Sequence, residues 1–163
     1  PRDFPSIVDN ALVADGTALP YDSDTFDLCV AISVVEHILP PSNRENLIKE
    51  MIRCTAPGGH VFFQMPNKWF PIELHTGLPV IHWLPGGKRL AINQGYTTLK
   101  QVHIPSRQTL ETWVRDAGAD VIESRGIVYP AEAIPKYTET YELLKSIGMF
   151  NVFPFGYVVA AKV

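Results

Sequence analysis

Residues 26–35 read FDLCVAISVV, apolar almost throughout and without alternation. Such a run reads as a strand covered on both faces, as in a parallel sheet between helices. Its flanks narrow the fold further. Upstream, ALVA at 11–14 is closed by Asp15-Gly16, a turn signal, and reads as a short strand with Asp15 at its carboxyl end. Downstream, Ser42 and Glu45 have the spacing of a capping box, and Leu47, Ile48, Met51 and Ile52 share one face of the helix that follows. Pro57-Gly58-Gly59 ends that helix, and HVFFQM at 60–65 is the next strand, stopped by Pro66. Strand, loop, strand, helix, strand is the order of a Rossmann-like, doubly wound α/β sheet.

Residues 66–105 break this rhythm. Pro66, Pro71, Pro79, Pro85 and Pro105 alternate with Trp69, Phe70, Trp83 and Tyr96. The stretch is too apolar for a free linker and too rich in proline for long helices. It reads as an insertion packed over the ligand end of the sheet, serving either as a lid or as ordinary packing. Ser106 then caps a second amphipathic helix, with Leu110, Trp113, Val114 and Ala117 inward and Gly118 at its end. Val121–Val128 reads as a strand, 131–147 as mixed helix ended by Gly148, and Gly156–Val163 as a terminal strand.

A chain of 163 residues fits one domain, and 46% hydrophobic against 19% charged residues suits a packed core. The net charge of −3, with no basic run longer than Lys88-Arg89, argues against a nucleic-acid or anionic-membrane partner. Cys29 and Cys54 fall in segments that read as buried and are expected to be reduced core thiols. No 18-residue apolar stretch and no secretory signal pattern is present, so a cytoplasmic protein with no membrane span is the default expectation. His60, His75, His82 and His103 lack the paired spacing of a zinc site, and no metal is expected.

Taken in order, several short motifs carry a resemblance. They are DGTALPY at 15–21, DTFDL at 24–28, Glu36-His37, the helix end RCTAPGG at 53–59, the strand leading to Pro66-Asn67, and the helix end Asp116-Ala117-Gly118. Each is weak alone, but together at these spacings the chain resembles class I S-adenosylmethionine-dependent methyltransferases of the type 11 kind. That family's seven-stranded sheet has the order 3-2-1-4-5-7-6, with the last strand antiparallel. The resemblance implies that residues 1–163 supply the third through seventh strands of a partial domain and lack the first two. The glycine-rich turn and the ribose-binding acidic residue would then lie upstream of Pro1. A chain so arranged leaves residues 11–14 without a neighbour and exposes an apolar strand edge, which predicts poor stability or membership of a larger polypeptide.

The resemblance also implies site residues. Asp15 would accept from the adenine amino group and the backbone after it would read a ring nitrogen, with Gly16 beside them; a plain Asp-Gly turn explains the same residues. Ala31, Ile32 and Ser33 would line the methionine side of S-adenosylmethionine. Glu36, Asn67 and His75 would face a small-molecule methyl acceptor. His37 would serve either as a general base or as an architectural, hydrogen-bonded histidine. The implied activity is methyl transfer to a small molecule. Its rival is a degenerate methyltransferase fold kept for binding or scaffolding. A hydrolase using Ser33 or a cysteine with His37 lacks a nucleophile elbow.

Overall fold

The computed structural model of the protein describes residues 11–73, 75–128 and 138–163. Four strands, β1 (Phe26–Ile32), β2 (Thr55–Pro66), β3 (Asp120–Ile127) and β4 (Gly156–Lys162), form one sheet in the order β1-β2-β4-β3. β1 and β2 are parallel, and β4 lies antiparallel between β2 and β3. This reproduces the second half of the expected strand order, with the reversed strand in its expected place.

Side-chain period explains the layer that covers one face. Val61, Phe63 and Met65 alternate along β2 and are fully buried, joined by Val159 and Ala161 of β4. Against them pack α1 (Arg44–Cys54), through Leu47, Ile48, Met51 and Ile52, and α3 (Arg107–Asp116), through Leu110 and Val114. The faces expected from helical spacing are therefore the buried ones. Ser106 caps α3 by accepting from the Thr109 amide at 3.0 Å, and Gly118 takes a left-handed φ of 98° just past the helix end.

Several expectations are corrected. Residues 11–14 form no strand; they are exposed, Val13 completely, and among the described residues no neighbouring strand offers backbone partners. β1 ends at Ile32 rather than Val35, since Ser33 turns into a positive φ of 52°. It is also not covered on both faces: Cys29 and Ala31 face the core, while Leu28, Val30 and Ile32 are 57%, 50% and 60% exposed. Ser42 makes no capping box. A 3₁₀ turn over Pro41–Asn43 runs directly into α1, so Ser42 already lies inside a helical turn and Asn43 holds the cap position without a side-chain bond. α1 also ends three residues before Pro57-Gly58-Gly59, which lie within β2 at a register irregularity and bond to Val163 through Gly58 and Gly59.

Between β2 and α3 the chain contains α2 (Gly87–Asn93), a 3₁₀ turn at Thr97–Gln101 and a small core of Ile81, Ala91 and Leu99. Between β3 and β4 lie α4 (Thr138–Ser146) and α5 (Met149–Val152). Tyr141 and Phe150 from these helices close a second cluster with Phe70 and Phe155. The part of the expected 131–147 helix that precedes Thr138 lies outside the described residues. Among the described residues, no helix is long and apolar enough to cross a membrane.

Candidate functional site

In an open α/β sheet, ligands bind beyond the carboxyl ends of the parallel strands. Here that end carries the segments after Ile32 and Pro66. The Asp15–Tyr21 loop is pinned beside β1 by α1. Glu50 accepts from the Leu19 amide at 2.8 Å and holds Arg53 through Nε and Nη2, both at 2.8 Å. Arg53 in turn donates to the Tyr21 and Leu19 carbonyls at 2.9 and 3.2 Å. Asp15 folds back on Thr17, accepting from its amide and hydroxyl at 2.8 Å each, and the amide bond holds its carboxyl below the usual range. One oxygen thereby serves the turn and the other stays available.

Gly16 and Ala31 share an apolar cleft of about 350 Å³ with Leu28, Val30, Val34 and Leu47. A Cβ on Gly16 would stand 2.9 Å from Leu47 Cδ1, so a glycine lets the loop lie this close to α1. Ile32 and Ser33 do not line the cleft. Ser33 donates its amide to the Gln64 carbonyl at 2.9 Å and its hydroxyl lies 3.2 Å from Gln64 Oε1, binding the β1 exit to β2. The cleft thus joins a close-lying glycine to the apolar side of β1, and the exposed Asp15 precedes that glycine in the chain.

The turn after β1, a 3₁₀ turn at Val35–His37, positions a second group. Glu36 is completely buried, and among the described residues neither carboxylate oxygen has a hydrogen-bond partner. Burial drives its carboxyl up, only partly countered by its own backbone amide and by His37, His75 and Arg44. Arg44 does not neutralise it by bonding: its guanidinium donates to the Val35 carbonyl at 2.9 Å and the Glu36 carbonyl at 3.5 Å. His37 Nε2 stands 4.0 Å from Glu36 Oε1, and the His37 and His75 rings meet edge-on at 5.2 Å.

His75 arrives from the 66–105 segment, aimed by Glu73. Glu73 Oε1 lies 2.7 Å from His75 Nδ1, while its Oε2 accepts from the amides of His75 and Thr76 and from the Thr76 hydroxyl. Burial pushes the Glu73 carboxyl up, but these bonds prevail and hold it at about 2. The same contact raises His75.

Asn67 was expected to face the acceptor. Its Nδ2 donates to the Pro154 carbonyl at 2.8 Å and its Oδ1 accepts from the Trp69 amide at 2.9 Å, so both polar ends brace the β2 exit. A further cavity of about 370 Å³ is lined by Arg44, Lys68, His82, Lys88 and His103. Among the described residues no acidic side chain lines it, and sequence reasoning missed it because these basic residues are scattered along the chain. Burial and neighbouring cations lower His82, Lys88 and His103. The grouping of Glu73 with Glu36 was missed as well; the only signal was a Glu-x-His-Thr spacing suited to a self-capped turn.

Comparison with known proteins adds the family. A methyltransferase domain matches residues 4–63. An uncharacterized methyltransferase of Mycolicibacterium vanbaalenii is 37% identical over 78 residues, covering 48% of this chain and 29% of that protein. The tRNA (carboxymethyluridine(34)-5-O)-methyltransferase of Arabidopsis thaliana is 32% identical over 74 residues, covering 45% and 17%. The chain thus spans less than a third of the length of either relative. The fold matches an S-adenosylmethionine dependent methyltransferase from Mesorhizobium loti with a TM-score of 0.57 at 16% identity, over 92% of this chain and 68% of that one. Residues 4–63 thus match a methyltransferase domain, and the described chain takes the class I methyltransferase fold.

Proposed function

We propose that this chain takes part in S-adenosylmethionine-dependent methyl transfer to a small-molecule acceptor. The observation that carries this reading is that Gly16 and Ala31 line one cleft along β1, with the exposed Asp15 next to Gly16 in the chain. Asp15 and Gly16 would hold the adenine, with Ala31 toward the methionine end. The cofactor supplies an already electrophilic methyl group, so the protein's share is to orient an acceptor and exclude water, worth on the order of 7–11 kcal/mol.

The 66–105 segment is the proposed cover of the acceptor side. The cavity lined by Arg44, Lys68, His82, Lys88 and His103 beyond β1 and β2 suits an acceptor with an anionic group. Net charge of −3 and the absence of a basic run favour a small acceptor over the tRNA named for one relative. Glu36 and His75 would face that acceptor, and His37, 42% exposed, would be the base where the acceptor must lose a proton.

Calorimetric titration of S-adenosylhomocysteine into the full natural polypeptide, into residues 1–163, and into an Asp15→Ala variant tests this reading. Binding by the full polypeptide that weakens in D15A supports it. A folded full polypeptide that does not bind refutes it and favours a scaffold.

A further inference from the structure

A fully buried carboxylate with no donor on either oxygen is costly, and native structures retain one only where something else satisfies it. Glu36 is such a group, and the side chains beside it are metal-ligating types. We propose that Glu36, His37 and His75 form a binding site for one divalent first-row transition-metal ion, with Glu73 as a positioning residue for His75.

The geometry supports this in three ways. One ligand atom from each of the three residues lies within 4.8 Å of the other two. An ion with bonds of about 2.0–2.2 Å holds its donors about 3.4 Å apart, so rotation of the two exposed histidine rings by about an ångström closes the site. Second, Glu73 occupies His75 Nδ1 at 2.7 Å, which leaves Nε2 as the coordinating nitrogen. A carboxylate behind a ligating histidine is the usual outer-shell support of such sites. Third, Arg44 spends its hydrogen bonds on backbone carbonyls, so among the described residues no cationic donor competes for the Glu36 oxygens. Two imidazoles and one carboxylate suit zinc, manganese, cobalt or iron(II) and leave coordination positions open, and they disfavour magnesium or calcium, which want oxygen alone.

The site lies at the mouth of the 66–105 segment, on the side where an acceptor would approach, but it rests on its own geometry and not on methyl transfer. It also competes with the base role of His37, because a coordinated Nε2 has no lone pair left to take a proton. Metal binding and cofactor binding are measured separately, so failure of one leaves the other standing.

The test is calorimetric titration of Zn²⁺ and Mn²⁺, with Mg²⁺ for contrast, into the full polypeptide, alongside the visible absorption of added Co²⁺. The expected result is one Zn²⁺ per chain, weak or no Mg²⁺ binding, and a Co²⁺ spectrum that vanishes in His75→Ala. Glu73→Gln should weaken Zn²⁺ binding about 10–100-fold while the Co²⁺ spectrum keeps its ligand signature. His60→Ala, at the far end of β2, should change nothing. His37→Asn provides a second ligand variant should H75A fail to fold. Absence of Zn²⁺ binding up to millimolar concentration, or equal affinity and an unchanged Co²⁺ spectrum in folded H75A or H37N, overturns the proposal.

Discussion

Asn67 offers a direct way to separate a structural role from an acceptor-facing one. Its side chain is 4% exposed and joins the β2 exit to the Pro154 carbonyl and the Trp69 amide, at 2.8 and 2.9 Å. Asn67→Ala removes both bonds and leaves a donor and an acceptor without partners. Each group so stranded costs about 1–3 kcal/mol when buried. Trp69 is about half exposed, so water recovers part of the loss at its amide. A net loss of about 2 kcal/mol follows from one stranded group at full cost and one partly rescued. For a domain of this size that corresponds to a fall in Tm of about 4–8 °C. The assay is thermal unfolding followed by circular dichroism, with Asn46→Ala on the exposed side of α1 as a control expected to shift little. A fall of less than about 1 °C in N67A, on the same scale of about 2–4 °C per kcal/mol, would refute the bracing argument and return Asn67 to the acceptor.

Two further outcomes are expected. Val30→Lys places a charge on the uncovered face of the edge strand, where Leu28, Val30 and Ile32 are half or more exposed. Sedimentation velocity on residues 1–163 should show concentration-dependent association that V30K reduces, and identical monomeric profiles would contradict the reading of that face. Glu50, whose carboxyl is held low chiefly by its bonds from Arg53 despite partial burial, contributes stability above its unfolded value of about 4.3 that is lost as pH falls through its lower folded value. Glu50→Gln should therefore cost about 1 kcal/mol or less near neutrality and flatten the acid limb of stability below pH of about 4; an unchanged acid limb in urea titrations would show that the pair does not anchor the 15–21 loop.

Much of the fold was legible because its signals are local. The faces of α1 and α3 follow from apolar residues at helical spacing, and Ser106 caps because the residues after it are free to begin a helix. Gly118 ends α3 because glycine tolerates the left-handed turn. Ser42 misled for an equally local reason: the spacing was right, but Pro41 had already started the turn. The ALVA run misled for a non-local reason. A strand exists only through its neighbour, and no run of residues can report whether the neighbour is there.

The amino-acid sequence by itself determined the α/β alternation and the Asp15-Gly16 turn, which are written in adjacent residues, and the reversed last strand through the family resemblance. Only the tertiary structure decided that Val30 faces outward and uncovered, that Asn67 spends its side chain on bracing, and that five scattered basic residues line one cavity. It alone brought His75 against Glu36 and His37, because the 66–105 segment folds back over the β1 exit and the self-capped turn of Glu73 aims the imidazole there. The reason is physical: period and capping act over a few residues, whereas the electrostatics of a buried carboxylate depend on which distant side chains chain folding sets beside it.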